Sequence, residues 1–123
     1  MEINHPQALA EVSEAFQRYQ DAIISNDVAV LNELFWDDPL TLRYGAGENL
    51  YGHAAIAGYR SARDPATLAR EETKRVVTTY GRDYATTNIE FTRHGKHGRQ
   101  SQAWVKMPEG WRIVAAHVSM MNQ

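Results

Sequence analysis

Apolar residues recur along this chain at two different periods, and the change of period divides it. In the first part, Leu9, Val12, Phe16, Tyr19 and Ile23 fall three or four residues apart, the spacing of one stripe on an α-helix. Pro6 suits the first turn of that helix, where its missing N–H would have no intrahelical partner. Ser25-Asn26-Asp27 interrupts the stripe and supplies a cap for a second, shorter helix that carries Val30, Leu31, Leu34 and Phe35 inward. Asp37-Asp38-Pro39 stops it. A short strand, Leu40 to Tyr44, follows; Gly45 to Asn49 turns the chain, and Leu50-Tyr51 pairs back. Gly52 leads into a third helix, His53 to Ser61, with Ile56 and Tyr59 inward, and Asp64-Pro65 ends that region.

The second half reads as strand. Four runs rich in Val, Thr, Tyr, Trp and Ile span Glu71 to Tyr80, Tyr84 to Arg93, Arg99 to Met107 and Trp111 to Met120. Gly81-Arg82-Asp83, His94 to Gly98, and Pro108-Glu109-Gly110 separate them as turns. Strict alternation in the last run puts Trp111, Ile113, Ala115, His117 and Ser119 on one face. That face passes from a large aromatic through aliphatics to a histidine and a serine, as a strand does when it runs from core into a pocket. Three helices, a short hairpin and an antiparallel meander predict an α+β fold with the helices on one side of the sheet. A curved antiparallel sheet wrapped around the long first helix makes a cone, and its mouth is a natural pocket.

The chain has 123 residues, the size of one domain with a real core, expected to span 1–123. Its 43% hydrophobic and 23% charged residues are those of an ordinary globular protein, and the net charge of −2 offers no basic field for nucleic acid. Without cysteine, disulfides, thiolate nucleophiles and thiolate metal sites are excluded. No apolar run approaches the roughly 20 residues of a membrane span. Met-Glu-Ile-Asn-His-Pro lacks the basic and apolar regions of a signal peptide. The expectation is a soluble cytoplasmic protein.

Candidate chemistry is sparse. Arg43 sits in an otherwise apolar short strand, on the face of Thr41. A guanidinium there either clamps a carboxylate or belongs to a solvated edge. Tyr19, on the apolar stripe, either packs in the core or presents its hydroxyl to a cavity. His117 and Ser119 are a hydrogen-bonding pair or a structural strand end, and no aspartate or nucleophile elbow completes a triad. His94 and His97 share a Gly-rich turn without an acidic partner, which leaves metal binding unsupported. Gly45-x-Gly47 is a turn rather than a dinucleotide loop. Arg60, Arg63, Arg70, Lys74 and Arg75 are interspersed with Glu71 and Glu72, the pattern of a solvated face.

Longer strings carry a resemblance. Phe16-Gln-Arg-Tyr19, the run Asn26 to Trp36, Leu42-Arg-Tyr-Gly-Ala-Gly-Glu-Asn-Leu-Tyr-Gly52, Thr78-Thr-Tyr-Gly81 and Gly98-Arg-Gln-Ser-Gln102, closed by Gly110 to Ser119, are similar to the AtzH-like family. That family belongs to the SnoaL-like superfamily, with the fold of nuclear transport factor two, also called cystatin-like. The resemblance covers about Ala15 to Met120. It implies a cone holding a small anionic substrate, a homodimer through the outer sheet face, and association with amidases of cyanuric acid or oxalurate (purine nitrogen) catabolism. For the cyanuric acid branch it also implies loss of one carboxyl group from a dicarboxylated urea, giving allophanate; the reaction expected here is cofactor-free removal of a carboxyl group from an N-carboxylated urea or oxalurate-like acid. The implicated residues are a tyrosine of the first helix and an arginine of the first strand, here Tyr19 and Arg43. His117, Ser119, Ser101 and Gln102 are expected as pocket-lining donors, with Ser101 and Gln102 on opposite faces, so that at most one of these two enters the cone. The alternative is a non-catalytic accessory protein that binds the same acid or docks on a partner amidase. An isomerase or cyclase would need a pocket aspartate base, which the inward positions do not offer.

Overall fold

Ala8, Val12, Phe16, Tyr19, Ala22 and Ile23 form the buried side of the first helix, α1 (Pro6–Ser25). The structure is a computed structural model that describes residues 1–62 and 69–122. The expected Arg63 and the Asp64-Pro65 break lie outside the described residues. Leu9 is only half-buried, and Ala8 takes its place on the stripe. His5 caps α1 by accepting from the Ala8 N–H at 3.4 Å. Asn26 ends it in the left-handed region (φ 52°), and its N–H reaches back to the carbonyls of Ala22 and Ile23. Asp27 then caps α2 (Val28–Leu34), its carboxylate accepting from the Val30 N–H at 3.2 Å.

Chain direction after α2 sets the sheet. Phe35 leaves the helix extended and bridges Ile113 in parallel, and the Trp36 N–H donates to the Ile113 carbonyl at 2.9 Å. Strand β1 (Leu42–Tyr44) continues that direction beside the last strand, with Leu42, Arg43 and Tyr44 opposite Ala115, Ala116 and His117. β2 (Asn49–Tyr51) pairs back on β1, and α3 (His53–Ala62) follows. Then come β3 (Glu71–Tyr80), β4 (Tyr84–Arg93), β5 (Lys96–Met107) and β6 (Gly110–Met120) as the expected antiparallel meander. The strand order is β2-β1-β6-β5-β4-β3. The fold is α+β as expected, but the curved sheet is mixed rather than wholly antiparallel, because β1 and β6 run the same way. Leu40 falls in the preceding turn, 77% exposed, so β1 is shorter than expected.

Two further differences are local. The β4–β5 turn is only His94-Gly95, both at positive φ (52° and 75°), with Arg93 paired to Lys96. That is the two-residue turn whose twist matches the flanking strands, and it lengthens β5 back to Lys96. In β6 the register slips: Trp104 faces Ile113, while Ala103 faces Ala115. Val114 is thus an extra residue, a bulge, and alternation reverses across it. Trp111 and Ile113 point inward, but beyond the bulge the inward residues are Ala116, Val118 and Met120.

All three helices pack on one sheet face, α1 against β3 and β6, α2 against β6, and α3 against β1 and β2. Between them Trp104 is wholly buried, edge-on to Phe16 at 6.5 Å. Its indole N–H donates to Thr87 Oγ1 at 3.0 Å, and that hydroxyl donates to Gln102 Oε1 at 3.1 Å. Burying each such side chain contributes about 1.5–3 kcal/mol, and the polar ladder lets the indole be buried without an unmet donor. No helix is long and apolar enough to cross a membrane among the described residues.

Gly98 lies opposite Phe91 on the inward face. A Cβ there would overlap the Phe91 ring and approach Met120 Sδ to 2.9 Å. Gly98→Ala is therefore expected to lower stability by about 1–3 kcal/mol, read as the midpoint of urea unfolding. Phe91→Leu placed on the Gly98→Ala background should recover part of the loss; an unchanged midpoint in Gly98→Ala would contradict this packing.

Candidate functional site

One end of the cone holds a cavity of about 260 Å3. Its walls come from elements distant in sequence. Tyr19 and Ile23 reach it from α1, Arg43 from β1, and Glu48 from the turn after β1. Tyr59 comes from α3, Arg70 from the approach to β3, Arg93 and His94 from the end of β4, and Gln100 and Val118 from β5 and β6. Parallel pairing on β6 is what carries Arg43 to the interior, next to Ala116. The tight His94-Gly95 turn is what brings Arg93 and the exposed His94 alongside.

Charge dominates the cavity. Arg43 is 8% exposed and pairs with Glu48 (2.8 Å). The Glu48 carboxyl stands below its ordinary range: burial pushes it up, but the Arg43 hydrogen bond and charge, the Gly47 N–H and Tyr59 together outweigh burial. Gly45 makes this pair possible, since a Cβ at that position would collide with the Glu48 carboxylate and crowd Arg43 Nη1 at 2.9 Å. Arg70 donates from Nη2 to Gln20 Oε1 (2.8 Å) and from Nη1 to Gln100 Oε1 (3.2 Å), with its guanidinium 4.8 Å from the centre of the Phe91 ring. Arg93 lies over the same ring at 5.9 Å. Among the described residues neither Arg70 nor Arg93 has a carboxylate within salt-bridge distance.

Arg60 is stranger still. It is 1% exposed, and none of its three guanidinium nitrogens has a hydrogen-bond partner among the described residues. It lies over the rings of Phe35 (4.9 Å) and Tyr19 (5.8 Å), and the Tyr19 oxygen is close enough for a loose hydrogen-bonding contact, so cation–π attraction and that contact are its visible compensation. Tyr19 is the point on which these cations converge. Burial pushes its phenol up, yet the charges of Arg60, Arg70 and Arg43 outweigh burial and leave it below the ordinary tyrosine value. Parallel stacking on Phe16 at 6.4 Å holds the ring in place.

Of the expected site residues, the cavity contains Tyr19 and Arg43 and no others. His117, Ser119 and Ser101 lie on the outer face of the sheet. The Val114 bulge turns the first two outward; His117 is exposed and meets Tyr44 edge-on at 5.7 Å. Ser101 donates to Asn88 Oδ1 at 2.6 Å on the same outer face. Gln102 does face inward, but it belongs to the Trp104 ladder rather than to the cavity. Of the arginines expected on a solvated face, Arg60 is instead buried and Arg70 half-buried, because α3 and the approach to β3 bring them beside α1. Two signals in the chain mark what alternation missed. Gln20 interrupts the apolar side of α1, and Gln100 interrupts the inward face of β5. Both are buried, and both serve Arg70. No cluster of three His, Asp or Glu that could hold a metal ion exists among the described residues.

The AtzH-like family model matches residues 1–123. A protein of unknown function from Pectobacterium atrosepticum, of the DUF3225 family, is 59% identical in sequence. The match covers 98% of this chain and 95% of that one, with a TM-score of 0.95. A cystatin-like fold protein from Burkholderia xenovorans is 42% identical over 100% of this chain and 98% of that one, with a TM-score of 0.94. A nuclear transport factor 2 (NTF2-like) superfamily protein from Salmonella enterica is 25% identical over 95% and 93%, with a TM-score of 0.77. No curated protein matches the chain.

Removing the buried charge at Arg60 should separate stability from site electrostatics. Arg60→Met keeps most of the volume, so it is expected to raise stability by about 1–4 kcal/mol, seen as a higher melting temperature. The same change should move the Tyr19 phenol back up toward its ordinary value. In an ultraviolet titration of the wild type, one tyrosine should ionise ahead of the rest. That component should vanish in Tyr19→Phe and shift to higher pH in Arg60→Met.

Proposed function

The chain belongs to the AtzH-like family, and from that membership and the cationic cavity we propose that it removes a carboxyl group from a small N-carboxylated urea, with Tyr19 and Arg43 as the reacting and clamping groups. The observation that supports this most is the surplus of guanidinium charge around one phenol. At coarser resolution the chain is a small ligand-binding or enzyme-like domain with an NTF2-like fold. A buried cation without a carboxylate is costly unless an anion joins it, so the cavity is suited to a ligand that brings its own negative charge. Its 260 Å3 volume fits a molecule below drug size.

The proposed step balances simply. The substrate carries an N–COO− group, held by hydrogen bonds from Arg43, whose Nη1 is already engaged with Glu48. The Tyr19 hydroxyl donates its proton to the carbamate nitrogen while the C–N bond breaks. The electron pair of that bond goes to nitrogen, carbon dioxide leaves, and the urea amine is the product. The phenolate left on Tyr19 is stabilised by Arg60, Arg70 and Arg43 and regains its proton from solvent. An arginine-lowered phenol is a better acid than free tyrosine, which is what proton donation to a poorly basic amide-like nitrogen requires. The guanidinium groups are fixed before the reaction, so they stabilise the developing phenolate without reorganising.

Carbon dioxide release from an N-carboxylated urea tests this directly. Tyr19→Phe and Arg43→Ala should each reduce turnover by about 10²–10⁴-fold, with melting temperatures within a few degrees of the wild type. Full activity in both variants would overturn the proposal. Tight binding of the acid without any turnover, together with co-purification of an amidase, would instead identify a non-catalytic accessory protein. Gly45→Ala should also lower turnover, because the new Cβ displaces Glu48 from Arg43; an unaltered rate in that variant would mean the pair has no part in the site.

A further inference from the structure

We infer that Arg60, which is not among the residues lining the cavity, is a positioning residue that turns the Tyr19 hydroxyl hydrogen toward the ligand. This rests on the reading of Tyr19 as the proton donor, but its geometry can be tested without any turnover.

The ring of Tyr19 is held on both sides. Phe16 stacks on it at 6.4 Å with the planes 7° apart, and Phe35 tilts against it at 6.2 Å. The freedom that remains is rotation of the hydroxyl about its C–O bond. A phenolic oxygen carries one hydrogen and accepts through its lone pairs, whereas a guanidinium only donates. An oxygen that accepts from one side therefore carries its hydrogen toward another. Three guanidinium groups act on this phenol, those of Arg60, Arg70 and Arg43. Two are committed elsewhere: Arg43 through Nη1 to Glu48, and Arg70 through Nη1 and Nη2 to Gln100 and Gln20. Arg60 has all three nitrogens free of any other partner among the described residues, and it stands beside the Tyr19 oxygen. It is 1% exposed and approaches the phenol from the core, which leaves the cavity side to the hydroxyl hydrogen.

For packing, an apolar side chain would serve better at this place. A buried cation without a carboxylate costs stability, and none lies within salt-bridge distance of Arg60 among the described residues. A charge kept at that cost beside a titratable group of a cavity points to function. α3 presents two consecutive residues to two sides, Tyr59 to the cavity and Arg60 to the back of Tyr19. The other charged or titratable groups of the cavity are Glu48, from the turn after β1, and Arg93 and His94, from the end of β4. Glu48, the carboxylate among them, is turned to Arg43 and the Gly47 N–H.

Neutron diffraction from crystals of the deuterated protein locates the hydroxyl directly. In the wild type the Tyr19 deuteron should face the cavity, with an Arg60 deuteron directed at Oη. A hydroxyl turned to the core, or a guanidinium directed elsewhere, overturns the inference even where every variant fails to fold. Carbon dioxide release from an N-carboxylated urea reads the consequence. Arg60→Met should lower kcat by about 10–100-fold, with KM within about threefold of the wild type, while the melting temperature rises. An acid must hold its proton to act, so kcat falls as pH rises through the Tyr19 ionisation. Arg60→Met should move that alkaline limb to higher pH, because the phenol loses a neighbouring charge; a residue that served packing alone would leave the limb in place. Arg60→Lys, which keeps the charge and a donor, should recover part of kcat. An Arg60→Met protein with wild-type kcat and an unmoved limb overturns the inference and leaves the decarboxylase reading standing. A wild-type protein with the expected hydroxyl orientation that releases no carbon dioxide refutes the decarboxylase reading alone.

Discussion

Placing guanidinium groups where water cannot reach them is among the least favourable things a small protein can do, and this chain buries two, Arg43 and Arg60, and half-buries a third, Arg70, around one phenol. Arg43, Arg60 and Arg70 all act on Tyr19, and among the described residues only Arg43 has a carboxylate of its own. Each cation is made tolerable by a different device: an ion pair for Arg43, amide oxygens for Arg70, and aromatic faces for Arg60. None of these devices equals full hydration. The rest of the fold has to supply the difference, and the aromatic and aliphatic core around Phe16, Phe35, Trp104 and Ile113 is where it does so.

The sheet is arranged to make this placement possible. Parallel entry of β1 beside β6 turns Arg43 inward; an antiparallel meander alone would leave β1 without a place next to Ala116. The Val114 bulge has the opposite effect on the end of β6, sending His117 and Ser119 to the outer face and leaving Ala116 and Val118 inside. Small and aliphatic side chains there keep the cavity open and leave its polarity to the arginines. Gly45 and Gly98 act as spaces rather than hinges, the first for the Arg43–Glu48 pair and the second for the ring under Arg70.

Periodicity made the element order and most of the core legible, because those depend on neighbours three, four or two residues away. The stripe on α1, the cap at Asp27 and the four long strands are local facts. What local pattern could not carry was anything decided between distant segments. The parallel bridge of Phe35 to Ile113 depends on where α2 ends in space. One inserted residue, Val114, inverted the face on which His117 was expected. Arg60 and Arg70 looked like solvated charges because they alternate with Glu71 and Glu72, and nothing nearby revealed that α1 lies over them. Tyr19 and Arg43 came from family resemblance rather than from spacing, and the cavity brings these two together. The glutamines were the readable trace: an amide on each of two otherwise apolar faces, Gln20 on α1 and Gln100 on β5, pointing at the same guanidinium.

Arg70 and its amide cradle also bear on how the protein meets its ligand in a crowded solution. A preformed cationic recess surrounded by millimolar acetate, phosphate and bicarbonate does not wait empty; small ambient anions occupy it in proportion to their own affinity. Capture of the proposed ligand is then an exchange in which one counterion leaves as another enters, and the apparent affinity is multiplied by the fraction of sites that the competitor leaves free. Buffer choice becomes part of the measurement, and a weak ligand in phosphate can be a strong one in an anion of lower affinity. The same exchange makes the folded state itself sensitive to the salt around it, since any anion that settles against Arg70 stabilises the folded chain by mass action.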